Sequence, residues 1–286
     1  MIEAIQRIVD YIVNYPFVRY TIVVAVLIAL CAALLGVTLV LKRFSMIGDG
    51  LSHVAFGAMA VGAVVGLTNN LYIVLPVTVI SAILLLKSQE SKRIKGDALV
   101  AMLSVSALAI GYILMNKFKT TNNVANDACV SLFGSTAILT LSMTDVWISI
   151  GLSAFVILFM ILFHNKLFAV TFDESFARAS GTKTSIYDIA VAIIIAVVVV
   201  VAMKLVGSLL VSALVIFPAL SAMRVFRSFK GVTIASAIIS VICALFGLFS
   251  SMIWETPVGP TIIIFDIAAF LIFFIIGLIL SRTKKA

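Results

Sequence analysis

Asp49 and His53 stand one helical turn apart in the run Gly48-Asp49-Gly50-Leu51-Ser52-His53, inside a stretch that is otherwise almost uniformly apolar. The i, i+4 spacing puts a carboxylate and an imidazole on one stripe of a helix. Buried in a membrane such a pair is expensive unless it binds something. Histidine supplies a borderline nitrogen and aspartate a hard oxygen, so the pair suits a divalent transition metal. Met46, one turn earlier, could add a soft sulfur ligand, although methionine at such a place is more often packing. Each residue also has a plainer reading: Asp49 as a first-turn acid of a helix, His53 as an interhelical hydrogen-bonding residue. Their shared face and depth favour the metal. One chain offers only two strong ligands. A twofold dimer with the path on its axis would offer four, and cyclic dimers are the commonest oligomers.

The elements that must carry this pair are membrane helices. Hydrophobic residues make up 63% of the 286 and charged ones only 11%, against roughly 25% charged in soluble domains. Residues 20–41 and 232–254 each run about 20 positions without a charge, the length a spanning helix needs. The runs are continuous, which favours helices over a barrel. The expected fold is all-α and polytopic, with eight to nine spans in a single transmembrane domain covering 1–286. Spans are expected at about 17–41, 45–67, 71–86, 98–115, 145–164, 186–203, 207–223, 232–254 and 258–281. Residues 1–16 read as an amphipathic surface helix. The apolar piece 128–143 is too short to cross and reads as re-entrant or interfacial.

With Lys42-Arg43 placed inside, alternation gathers most of the 20 basic residues in inner loops. That sets the N-terminus outside and the C-terminus in the cytoplasm, so the net charge of +8 needs no nucleic acid. Gly57 extends the Asp49/His53 stripe. Ala58, Gly62 and Gly66 form a second stripe of small residues, and such faces let helices approach closely. Asp266 lies inside the last span, where it could line a path or bind a neighbouring helix. Asp188 and Glu255 fall at span ends and are expected in water. His164 sits at a membrane edge. The three cysteines are dispersed and read as core filling. Residues 170–185 contain a short amphipathic helix stopped by Gly181, suited to docking a soluble partner. The chain has no Gly-rich phosphate loop, so ATP would be handled by another subunit.

These segments resemble the metal-importing branch of bacterial ABC transporter permeases, the zinc, manganese and iron type. Lys42-Arg43 followed by Gly48-Asp49 and Ser52-His53 is similar to that family's basic turn and G-D-x-x-S-H box. Gly50 stands where many members carry Ala or Thr. Leu132-Phe133-Gly134-Ser135, running on to Leu139 through Ser142, resembles its mid-chain segment. Phe172 through Gly181 resembles its coupling helix, with Glu174, Ala177 and Gly181 in place. Val206 through Leu214, Phe217-Pro218-Ala219, and Thr256 through Thr261 resemble its later segments. The resemblance implies a non-enzymatic, homodimeric permease core in the bacterial plasma membrane, contacting lipid. Two cytoplasmic ATPase subunits and an extracytoplasmic metal-binding protein would complete it. It implies a divalent metal cargo, Zn²⁺ or Mn²⁺, no cofactor on this chain, and a path through Asp49 and His53. The rivals are an ABC permease for an iron chelate or corrinoid, an ion-coupled secondary carrier, which should show inverted repeats that are not visible, and a scaffold without transport.

Overall fold

The computed structural model describes residues 10–66, 70–89, 96–118 and 141–283. Eleven helices and no strand occur among them. They are α1 (Pro16–Leu41), α2 (Ile47–Val65), α3 (Leu71–Gln89), α4 (Gly96–Lys117), α5 (Met143–Leu162), α6 (His164–Phe172), α7 (Glu174–Ala179), α8 (Thr184–Val206), α9 (Ser208–Val225), α10 (Phe229–Trp254) and α11 (Val258–Thr283). All but α6 and α7 are long and apolar enough to cross a bilayer, so the nine expected spans are present. Most of them run a few residues past the expected ends. Local caps explain some of this: the Ser228 hydroxyl accepts from the Gly231 amide and starts α10 early. Ser142 and Asp145 form a capping box that starts α5. The expected re-entrant piece 128–143 lies outside the described residues except for its last three. Of the expected surface helix 1–16, only 10–16 are described, and 10–14 are helical.

Small residues set how closely the central helices pack. On α1, Ala29, Ala32, Ala33 and Gly36 are buried, and Gly36 rests on the backbone of Val215 in α9. Ser236 and Ser240 of α10 donate to the carbonyls of Ala33 and Ala29, at 3.4 and 2.9 Å. These side chains find acceptors on a neighbouring helix in a setting without water. α8 is rich in Val, Ile and Ala and buries most of its faces at the centre. By contrast α4, α5 and α11 leave large apolar side chains exposed, such as Ile110, Phe155 and Ile275, which is what lipid demands.

The ends of the bundle differ. One end brings together the ends of α1 and α3, the α6–α7 pair and the start of α8 around a common cavity. There Lys42 pairs with Asp188 across 146 positions of sequence. Asp188 is therefore half-buried and engaged, not solvated as a span-end acid would be. Glu255 is exposed and closes α10 in a left-handed conformation. α8 and α9 are joined by Gly207 alone, at φ 96° and ψ 152°, backbone angles that only glycine adopts readily.

Candidate metal centre

α2 begins at Ile47, with Met46 as its capping position. At 1.5 Å per residue Asp49 stands about 3 Å and His53 about 9 Å from the start of the helix, shallower than a start at residue 45 implied. Asp49 falls in the first turn, where the helix dipole favours a carboxylate. The two side chains lie together: His53 Nε2 is 3.6 Å from Asp49 Oδ2. That is too long for a good hydrogen bond. It suits two donors on one ion, because bonds of roughly 2.1 Å to a shared metal would subtend about 115–120°. His53 Nδ1 is buried and has no hydrogen-bond partner among the described residues.

Both side chains open onto a cavity of about 420 Å³ between α2 and α4, lined also by Met46, Val100, Ser104 and Val105. Met46 is half exposed on this cavity, so the third sequence-derived candidate lies with the other two. Ser104, which sequence reasoning passed over, brings a buried hydroxyl to the same wall; nothing in its surroundings in the sequence marks it. No group of three or more His, Cys, Asp or Glu occurs among the described residues. Asp49 and His53 are thus the two residues of these types on the described lining of the cavity.

The wall opposite the pair exists because α2 and α4 touch through glycines. A Cβ at Gly50 would sit 2.6 Å from Val100 Cγ1, and one at Gly57 would sit 2.8 Å from the Ala107 carbonyl oxygen. From the other side, a Cβ on Gly111 would come 3.1 Å from the Cα of Gly57. The glycine at position 50 therefore has a packing reason: α4 occupies the space that an alanine methyl would need. The second stripe divides. Ala58 packs with Val74 of α3 and with Val200 and Met203 of α8, Gly62 faces Asn70, and Gly66 caps the helix at φ 74°.

At the polar end, the helix expected from residue 172 runs Glu174–Ala179, with the Asp173 carboxylate accepting from the Phe176 amide at 2.9 Å. The segment before it, α6, is helical too, a feature missed in the sequence because its nine residues mix polar and apolar without a clear period. Glu174 bonds Arg178 at 2.6 Å and accepts from Thr184 at 3.2 Å. Ala177 is fully buried. Gly181 turns the chain at φ 82° with open space around it. The three residues thus hold α7 in place, while Phe176 and Ser175 face outward. His164 lies with its ring 5.1 Å from that of Phe229. Asp266 is 1% exposed beside Cys243, and its carboxylate oxygens meet no hydrogen-bond partner of good geometry among the described residues. Cys31 and Cys243 are free and buried.

Three comparisons bear on this arrangement. The family model described as "ABC 3 transport family" matches residues 14–277. The manganese import system permease protein ScaB of Streptococcus gordonii is 28% identical, over 96% of this chain and 96% of its own. The manganese transport system membrane protein MntC of Halalkalibacterium halodurans is 26% identical, over 89% and 85%. The chelated iron transport system membrane protein YfeD of Yersinia pestis is 26% identical, over 94% and 87%. Among solved structures, PsaBC from Streptococcus pneumoniae in complex with Fab superposes with a TM-score of 0.81 at 27% identity, covering 94% of this chain and 95% of that one.

Proposed function

The chain belongs to the ABC 3 transport family, and on that premise we propose how it moves its cargo. It is the membrane-spanning permease subunit of a metal-ion importer, and ATP hydrolysis resides in a separate subunit. The cargo we assign is Mn²⁺, in line with the relatives whose names carry manganese. Membership of this family leaves no room for the secondary carrier or the scaffold. A chelate or corrinoid path would give Asp49 and His53 no task.

The observation that carries the reading is a cavity on which Asp49 and His53 converge with no third His, Cys, Asp or Glu beside them among the described residues. A second copy of the chain, related by a twofold axis along the α2–α4 face, would bring the other carboxylate and imidazole. Two carboxylates would offset the charge of a divalent ion in a low-dielectric setting. Four-coordinate geometry fits the present 3.6 Å separation; an octahedral ion such as Mn²⁺ would draw the two donors to about 3 Å, a small side-chain adjustment. The end bearing Lys42, Lys87 and α7 faces the cytoplasm, with the N-terminus outside and the C-terminus inside. Cytoplasmic ATPase subunits dock against α7, which Glu174, Ala177 and Gly181 hold at its angle. An extracytoplasmic binding protein delivers the ion at the opposite mouth. Closure of the ATPases shifts α7 and the start of α8, and the Asp49/His53 constriction hands the ion inward.

The test is uptake of radioactive Mn²⁺ by cells carrying the complete transporter with Asp49→Ala or His53→Ala. Both variants are expected to reach the membrane and to drop uptake to background. Wild-type uptake in either would remove the site.

A further inference from the structure

We propose that the cavity between Arg43 and Lys87 holds the phosphate headgroup of an anionic phospholipid, with an acyl chain lying along α3. The cavity has a volume of about 400 Å³ at the polar end of the bundle, walled by the α1–α2 turn, the last turn of α3, α6, α7 and the start of α8. Its carboxylates are already engaged: Asp188 by Lys42 and Glu174 by Arg178. Arg43 and Lys87 are exposed on it and have no ion-pair partner among the described residues. Thr171 and Ser185 add hydroxyls to the same wall. Two cations and two hydroxyls around one cavity make a receptor for a phosphate diester.

Two further observations point to a ligand and to its kind. Arg43 adopts φ 62°, a left-handed conformation that closes α1, with the Phe44 amide bonding the Leu39 carbonyl and the Arg43 amide that of Val40. Glycine takes this position at no steric cost, whereas a side chain is strained there. An arginine held in it aims a guanidinium from a fixed turn. The second observation is the surface leading into the cavity. On α3, Val77, Ile80 and Leu84 are 38%, 57% and 59% exposed and recur at helical spacing, and the same stripe ends at Lys87. An exposed apolar stripe finishing in a cation matches a molecule with a hydrocarbon tail and an anionic head. The stripe faces the bilayer, so it sets an acyl chain beside the cavity mouth, whereas a free phosphate or a protein carboxylate would engage the cavity alone.

The full chain is placed in nanodiscs of mixed phosphatidylcholine and phosphatidylglycerol, and the lipids that stay bound on release are identified by native mass spectrometry. Wild type is expected to retain phosphatidylglycerol in preference to phosphatidylcholine. Arg43→Gln and Lys87→Gln should each lower that preference about fivefold, and the double variant about thirtyfold. Arg43→Lys should keep most of it, and Lys230→Gln, on α10 and not among the residues that line the cavity, all of it. Equal retention of the two lipids by wild type, or an unchanged preference in the double variant, overturns the proposal. Displacement of the lipid by millimolar inorganic phosphate would assign the cavity to a soluble anion and overturn it as well. The wild-type arms require no variant to fold.

Discussion

Gly57→Ala tests whether the cavity lined by Asp49 and His53 is shaped by contact between α2 and α4. The added methyl would sit 2.8 Å from the Ala107 carbonyl oxygen, and the carbon of that carbonyl would be 3.3 Å away. Ordinary contact needs about 3.5 Å, so the helices must part by roughly 0.7 Å. The obstacle is backbone and cannot rotate aside. Overpacking of this kind costs about 1–3 kcal/mol. Alanine in a helix interior returns about 0.5–1 kcal/mol relative to glycine. The clash wins, and the variant should be less stable by about 1–2 kcal/mol. Gly151→Ala supplies the matched control. It lies within α5 with nothing within 4 Å of its virtual methyl, so only the propensity gain remains and the sign reverses. The assay is the thermal midpoint of the detergent-solubilised chain, followed by loss of the monodisperse peak, together with Mn²⁺ uptake in cells. Gly57→Ala should lower both midpoint and uptake, whereas Gly151→Ala should raise the midpoint slightly and leave uptake alone. Shifts of the same sign and size in the two variants would refute the reasoning.

Three other outcomes follow from the geometry. Lys42→Met or Asp188→Leu alone breaks the half-buried Lys42–Asp188 pair, so each should destabilise the chain by about 1–3 kcal/mol, and the double variant should recover part of the loss in a thermal-midpoint cycle. Gly181→Ala forces a side chain to φ 82° and should cost about 1–2 kcal/mol locally; uptake and ATP turnover by the assembled transporter should fall while the amount of permease in the membrane stays constant. Ser240→Ala removes the 2.9 Å bond to the Ala29 carbonyl and should lower stability by about 0.5–1 kcal/mol in the same midpoint assay, with no change in uptake.

The spans were legible because lipid enforces a simple rule: about 20 apolar residues in a row can be little else than a helix. α1 and α8 obey it so strongly that their extents were read to within a few residues. Asp49 and His53 stood out for the converse reason, since polar side chains are conspicuous against an apolar background, and the structure brings them together on one cavity. What the chain concealed depends on partners far away in sequence. Lys42 and Asp188 are 146 positions apart, and each taken singly looks like an ordinary flanking charge. The reason for glycine at position 50 became visible only with Val100 beside it. Ser104 reaches the cavity that Asp49 and His53 line through the crossing of α2 and α4, which no local pattern encodes. The helix α6 carries too weak a period to announce itself.

The elbow at Gly207 leaves the chain no slack between α8 and α9. α8 starts beside the polar-end cavity that α7 helps to wall, and α9 packs against α1 and α2. A push delivered at the near end of α8 therefore cannot be absorbed at its far end by a flexible loop; it would reach α2 both directly, where Val200 and Met203 pack on Ala58, and through Gly207 into α9. The folded-back pair would act as a crank with two points of purchase on the helix that carries Asp49 and His53.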